Sequence, residues 1–476
     1  MNQITSRMIS GFLLAVIVLV RPVFAVDEAR VVARMDSPTL PRAARAVPLG
    51  STLRIEGLPI SADSSPDALE LERVRVFAPG ARIVVQGAEG ETRVPIPANA
   101  YFRGSIDGSP ESLAFLAVRA DGSMRGIVSS NGDFWVLGDG PAPGLFVRGI
   151  DTATDFAGRG TGFACSNDLL RPFTVPARAS GAAQNPPQTA AQVSATISYT
   201  ATVAIETDHE FYNLFGNSAD AIDYIGDLIG YSSGLYEAEV GTSLLVGDIS
   251  LWATSSDPWQ ETSTVCGLFD FGRYWNDNKG ATSRTIAHFL SGKELGGGVA
   301  WVGVLCESGF DYDHGGYCPS LTPQTDNYGG AYGFSASLEG DFDINNPSAV
   351  WDIVVVSHEI GHNFNSPHSH CYAGVGGNAS PVDQCYSGQC GTSGCYCGGT
   401  SLPGAGAGTG TLMSYCHLLS GGLSNISLTF GLGHPYGVEP ERIPDQMYSH
   451  VVAAAGEYPA CLALIDNDLI FADGFQ

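Results

Sequence analysis

Positive charge is scarce in this chain. Its 476 residues carry 23 Lys+Arg against 49 Asp+Glu, a formal net charge of −26. That balance excludes nucleic acid and anionic membrane surfaces as partners, and it reads as solubility outside the cell. Charge of either sign is thin, at 15% of residues, while 44% are hydrophobic. Such a chain can bury large cores and is not disordered overall. Long apolar runs are missing after the first 25 residues, so no later segment is expected to cross a bilayer, which needs about 20 apolar residues. The run from Met8 to Val20 is also too short to span. It follows Arg7 and precedes Val23-Phe24-Ala25, with small residues at the −3 and −1 positions. It therefore reads as a secretory signal cleaved before Val26. The expectation is a soluble, secreted, extracellular protein, read as a monomer.

An even cysteine count is missing too. There are 11 cysteines, and in an oxidising compartment ten can pair and one is left over. Cys165 lies alone and early, and the other ten begin at Cys266. The cluster from Cys371 to Cys416 reads as disulfides rather than a Cys-rich metal site, because the chain is exported.

The length allows roughly three domains at about 150 residues each. Residues 26–175 show almost no helical pattern. They read as short strands between turn residues, among them Arg73–Phe77, Ala81–Val85, Leu113–Val118 and Asp133–Leu137. Residues 176–194 read as an exposed, protease-accessible linker, rich in Pro, Ala, Gly and Gln. From residue 195 the grammar changes to strands alternating with helices, an α/β domain. Strands are expected at Ala201–Glu206, Ser243–Trp252, Val299–Leu305 and Tyr332–Ser337. Helices are expected at Ala219–Glu239, Phe269–Trp275 and Ser283–Leu290. The acidic-aromatic end, residues 456–476, reads as a tail: either an ordinary terminus or a docking tag.

The strongest signal is His358-Glu359-Ile360-Gly361-His362-Asn363-Phe364-Asn365-Ser366-Pro367-His368. Two histidines four apart share one helix face, and a glutamate follows the first. A third histidine comes six residues after the second. Three neutral imidazoles plus a general base are the minimum set for zinc-assisted hydrolysis. Asn346 and Pro347 suit the start of the helix. Ile353, Val356, Ile360 and Phe364 mark its core face. Continued as helix, His368 would lie about 9 Å further along the axis and point away. Asn365 tolerates a left-handed backbone, and Ser366 before Pro367 is pushed out of the helical region, so the chain can turn His368 back.

This pattern resembles the metzincin zinc proteases, and within them the reprolysin (adamalysin, ADAM-like) branch, whose motif has glycine where Asn365 stands. Gly410-Thr411-Leu412-Met413-Ser414-Tyr415-Cys416 resembles the family's methionine turn. The stretches Thr285–Lys293, Gly298–Cys306, Trp252–Thr254 and Asp257–Trp259 are similar to further family segments. Tyr101–Gly108 and Arg125–Val128 resemble a reprolysin propeptide. The resemblance implies a metzincin catalytic domain over 195–455: a twisted mixed sheet with an active-site helix and a small C-terminal subdomain. A β-rich propeptide would precede it. It implies a secreted zinc endopeptidase made as a zymogen and acting on proteins or peptides. His358, His362 and His368 would hold zinc, Glu359 would be the base, and Met413 would pack beneath the histidines. Gly298–Leu305 would bind the substrate backbone. Tyr415 either ligates zinc or steadies the transition state, or it simply packs. Cys165 is either a cysteine switch, holding the open zinc position in the precursor, or a free or intermolecularly paired thiol. The family leaves room for calcium, with Glu206 as a contributor. His288, His314, His370 and His417 read as structural or exposed. The rival reading is a catalytically silent adhesion or binding protein on the same scaffold.

Overall fold

A computed structural model of the chain describes residues 31–35, 39–58, 60, 67–130, 132–139, 145–155, 165–170, 199–340 and 349–464. The signal segment, the linker, Asn346 and Pro347, and residues 465–476 lie outside them. Strands in the N-terminal part are β1 (Val31–Met35), β2 (Thr52–Leu58), β3 (Asp67–Val74), β4 (Ile83–Gly87), β5 (Gly90–Val94), β6 (Ala100–Ile106), β7 (Ser109–Val118), β8 (Met124–Ser130), β9 (Asp133–Asp139) and β10 (Leu145–Ile150). Eight of them form an antiparallel sheet in the order β1-β10-β9-β8-β7-β6-β3-β2. The first helix, α1 (Leu40–Ala46), sits where no helix was expected, with a proline in its first turn. A four-residue turn of helix, α2 (Thr152–Asp155), follows β10.

The second part holds β11 (Tyr199–Thr207), α3 (His209–Phe215), α4 (Ser218–Val240), β12 (Thr242–Trp252), α5 (Thr264–Asn278), β13 (Ile286–Leu290), β14 (Gly298–Ala300), β15 (Phe310–Asp313), β16 (Thr325–Gly329), β17 (Tyr332–Ser335), α6 (Ala349–Asn363), α7 (Arg442–Glu457) and β18 (Ala463–Leu464). Its mixed sheet runs β14-β17-β13-β11-β12-β4-β5, with β18 paired to β11. The neighbours from β17 to β4 are parallel, whereas β14 is antiparallel to β17 and forms one edge.

The helix expected over Ser283–Leu290 is not formed. Ile286–Leu290 is a central strand, β13, buried at every residue. A short strand covered on both faces reads as a continuous apolar run, which periodicity alone cannot separate from buried helix. The strand expected over Val299–Leu305 ends at Ala300, because Gly303 N–H and Val304 N–H turn to donate to the carbonyls of His362 and Asn363 at the end of α6.

The two parts share one core. Along β7, Ala114, Leu116 and Val118 join the core of the N-terminal sheet with Leu69, Leu71 and Phe102. Phe115 and Ala117 point the other way and pack with α4 residues such as Ile225, Leu228 and Tyr231. This is the period of two of a strand buried on both faces. The strand β4 then continues the mixed sheet directly, pairing parallel with β12 from Ile83 opposite Ile249 to Gln86 opposite Trp252.

Helix α4 meets the N-terminal sheet through a stripe of Gly226, Gly230 and Gly234. A Cβ at Gly230 would lie 2.5 Å from the Phe115 ring, and one at Gly234 would lie 2.8 Å from Leu113. Ion pairs flank the stripe: Arg119 with Asp223 and Asp227, and Arg103 with Glu237. The opposite side of α4 carries the site helix. Tyr224 donates to Asp352 at 2.5 Å and Tyr236 donates to the Ser357 carbonyl at 2.8 Å. Gly230→Val overpacks this seam, and the full chain should melt several degrees lower, for a cost of about 1–3 kcal/mol. An unchanged melting temperature would show that the seam yields.

Candidate metal centre

Helix α6 buries Ile353, Val356 and Ile360 along the expected face, with Phe364 just beyond its last turn. The helix stops by a two-bond C-terminal motif. Asn365 N–H donates to the His362 carbonyl at 2.8 Å and Ser366 N–H to the Gly361 carbonyl at 3.1 Å. Asn365 adopts φ 72°, the left-handed conformation such a stop requires. The chain then reverses and brings His368 to the other two. Ring centroids are 4.8 Å apart for His358 and His362, 4.7 Å for His362 and His368, and 5.2 Å for His358 and His368.

Each ring is held by its Nδ1. His358 Nδ1 lies 2.7 Å from the Leu412 carbonyl, His362 Nδ1 lies 2.7 Å from the Ser366 carbonyl, and His368 Nδ1 lies 2.9 Å from Gln389 Oε1. These three oxygens only accept, so each Nδ1 carries the proton and each Nε2 presents a lone pair. The lone pairs converge. His358 and His362 Nε2 are 3.2 Å apart, and His368 Nε2 is buried with no hydrogen-bond partner. With Cys165 Sγ, the three ligand nitrogens all lie within 4.8 Å of one another. Tetrahedral zinc with bonds of about 2.1 Å sets its nitrogen ligands roughly 3.4 Å apart. Burial pulls the basicity of His358 and His368 well below the ordinary value and that of His362 down to about 4. Neutral imidazoles with buried, converging lone pairs beside a thiol fit zinc.

Glu359 is fully buried beside them. Its Oε1 has no partner, and its Oε2 lies 3.4 Å from Cys165 Sγ. Burial pushes this carboxyl well above the usual carboxylate range. Burial first, and Glu359 next, raise the Cys165 thiol. A divalent cation between the rings is the charge that would offset both penalties. Two glycines make room here. A Cβ at Gly298 would fall 2.4 Å from Glu359 Cγ, and one at Gly361 would fall 2.6 Å from the sulfur of Met413. Met413 is buried with its sulfur against Gly361, and its carbonyl accepts from Ser369 N–H at 2.9 Å.

Cys165 is the one unpaired cysteine. The other ten form Cys266–Cys318, Cys306–Cys461, Cys371–Cys395, Cys385–Cys416 and Cys390–Cys397. Its Sγ stands 3.4 Å from His362 Nε2. The residues after it are anchored one by one. Tyr415 donates its hydroxyl to the Cys165 carbonyl at 2.5 Å. Ser166 meets Thr264 at 2.9 Å. The side-chain amide of Asn167 both donates to and accepts from the backbone of Ala300 in β14, each at 2.9 Å. Tyr415 is thus brought to the site, its ring centroid 4.4 Å from that of His368, with its hydroxyl engaged by Cys165.

Sequence reasoning missed Gln389 and Asn167, and it assigned Gly298 to the edge strand without its close approach to Glu359. Gln389 also meets His370 Nε2 at 2.6 Å, and the adjacent Cys390–Cys397 disulfide fixes its loop. The other histidines weighed from the sequence, His288, His314, His370 and His417, are all buried. His288 is buried with Ser335 at 2.8 Å, and burial lowers its basicity to about 3. His314 backs a turn through the Leu321 carbonyl, and His417 packs by Tyr415. Glu206 does not present oxygens to a cation. Its two oxygens accept from Trp252 and Trp275 indoles at 2.7 and 2.9 Å, so nothing at this residue supports calcium.

No curated protein matches the chain. Among solved structures, metalloproteinase-II from Bacteroides fragilis is similar at 10% identity and a TM-score of 0.35, over 70% of this chain and 86% of that one. A chaperone-substrate complex is similar at 12% identity and a TM-score of 0.28, over 54% of this chain and 36% of that one. At these scores neither likeness bears on function. Residues 198–426, which include the three histidines, Glu359 and Met413, match the Reprolysin_5 model of metallo-peptidase family M12, a match that suggests a zinc-dependent peptidase.

Proposed function

We propose that this protein is a secreted zinc endopeptidase made as a zymogen. His358, His362 and His368 hold the metal, Glu359 is the general base, and Cys165 blocks the open position in the precursor. The observation that carries the reading is the set of three Nδ1-anchored imidazoles whose Nε2 lone pairs meet in a buried space. Zinc bound there would supply Lewis acidity for a scissile carbonyl and would acidify water at its fourth position.

The chain's own residues do the rest. Glu359, with Oε1 unengaged beside the histidines, takes the proton of the attacking water and passes it to the leaving amine. The outer edge of β14 takes the substrate backbone as an added strand. The paired hydrogen bonds of Asn167 with Ala300 support this role, because they are the bonds a strand would make there. When residues 165–169 withdraw, the Tyr415 hydroxyl becomes available to the developing oxyanion. Met413 packs under the ligand rings and has no chemical part. Secretion is supported by the five disulfides, since such bonds persist in oxidising compartments. Among the described residues no helix is long and apolar enough to cross a membrane. A silent binding protein would gain nothing from a buried carboxyl with an oxygen left over beside three ligand rings.

Metal analysis tests the reading. Purified protein should hold one zinc per chain. A chelator should remove it together with caseinolytic activity of the linker-cleaved form, and added zinc should restore both. His368→Ala should lose zinc at least tenfold more readily. Chelator-resistant hydrolysis would refute the proposal.

A further inference from the structure

A cavity of about 320 Å³ opens beside the residues that cover the metal centre, and nothing in the chemistry above uses it. Val265 and Phe269 of α5, both 1% exposed, line it. Tyr312, His314 and Tyr317 line it too, and Leu169, half exposed, stands at its edge. No charged side chain lines it. His314 is held at both ring nitrogens. Its Nε2 meets the Leu321 carbonyl at 3.1 Å, and its Nδ1 accepts from Gly316 N–H at 3.2 Å. The ring stacks on Phe269 with centroids 6.3 Å apart. The Cys266–Cys318 disulfide ties α5 to the chain beside Tyr317, so the cavity is preformed.

The path of the covering segment leads into it. Cys165 lies at the histidines, Ser166 touches the first residue of α5, Asn167 pairs with β14, and Leu169 reaches the cavity edge. The segment thus copies a bound peptide: one group at the metal position, one pairing with the edge strand, and one apolar side chain at a pocket. We infer that this cavity is a substrate subsite selecting a large apolar side chain, with Leu169, itself 50% exposed, at its mouth in the precursor. The inference rests on the peptidase reading. Residues 166–169 form a 3₁₀ turn. At about 2 Å rise per residue, Leu169 lies roughly 8 Å from Cys165 along the chain. An extended substrate covers that span in two to three residues at about 3.3 Å each.

Two measurements test it. In a peptide library cut by the linker-cleaved enzyme, Leu, Met or Phe should dominate one position two or three residues from the scissile bond. Tyr317 is 50% exposed and so can be changed without disturbing the core. Tyr317→Lys should lower the preference for an apolar over an acidic residue at that position about tenfold. In the uncleaved chain, Leu169→Asp should speed alkylation of Cys165 by iodoacetamide at least tenfold, because every other cysteine is paired. A position with no apolar preference, a profile untouched by Tyr317→Lys, or an unaltered alkylation rate would overturn the subsite while leaving the peptidase intact. A wild-type enzyme without chelator-sensitive cleavage would overturn both.

Discussion

Glu359→Ala should hydrolyse peptides about 10²–10⁴ times more slowly than the wild type while keeping its zinc. The three rings owe their orientation to Leu412, Ser366 and Gln389, and none of those bonds involves Glu359. Truncating the carboxylate therefore leaves the ligand set standing. What is lost is a carboxylate oxygen beside the rings that has no hydrogen-bond partner, Glu359 Oε1. The fold should not suffer either, because a fully buried carboxyl with one oxygen unpaired is a cost to the folded state. Glu359→Gln should behave like the alanine variant, since an amide keeps the volume and loses the base. The check is a rate measurement on linker-cleaved protein with zinc quantified in the same sample. Activity within threefold of the wild type, at full zinc, would remove Glu359 from the mechanism. Loss of activity together with zinc would make it a positioning residue instead.

The parts of this site that the sequence discloses are the local ones. Helical spacing places His358 and His362 on one face, and the left-handed tolerance of asparagine explains how Asn365 sends His368 back; both depend on residues within one turn of each other. The parity of the cysteines singles out Cys165, although the partners of the other ten do not follow from counting. Gln389 is a different matter. It lies 21 positions after His368, in a loop whose shape comes from disulfides, and no periodicity announces it. Strand β13 reads as a helix in the sequence because burial on both faces erases the alternation that marks a strand. The union of the two sheets is equally silent in sequence. Residues Ala81–Val85 read as a strand, but their pattern does not say that the neighbour is β12 rather than another N-terminal strand. The glycines at 226, 230 and 234 offer a small-residue spacing. Their use as a seat for Phe115 and Leu113 requires knowing which sheet arrives there.

Cys165→Ser should activate the uncleaved chain only in part. If the thiol were the sole lock, its loss would free the site completely. The structure places other anchors around it: the Tyr415 hydroxyl on the Cys165 carbonyl, Ser166 on Thr264, and the two bonds between Asn167 and Ala300. Each such hydrogen bond is worth about 1 kcal/mol net. Two or three of them hold the segment against a competing substrate by roughly one to two orders of magnitude. Peptide hydrolysis by uncleaved Cys165→Ser should therefore rise at least tenfold over the wild-type precursor and still fall short of the linker-cleaved enzyme. Adding Asn167→Ala removes the contacts that occupy the edge strand, and the double variant should approach the cleaved enzyme. Asn167→Ala alone should stay latent, because the thiol still sits among the histidines. The assay needs intact chains, verified by gel before and after, and zinc content measured in every variant. A Cys165→Ser precursor as quiet as the wild type would show that the bulk of the segment, and not its sulfur, keeps substrate out.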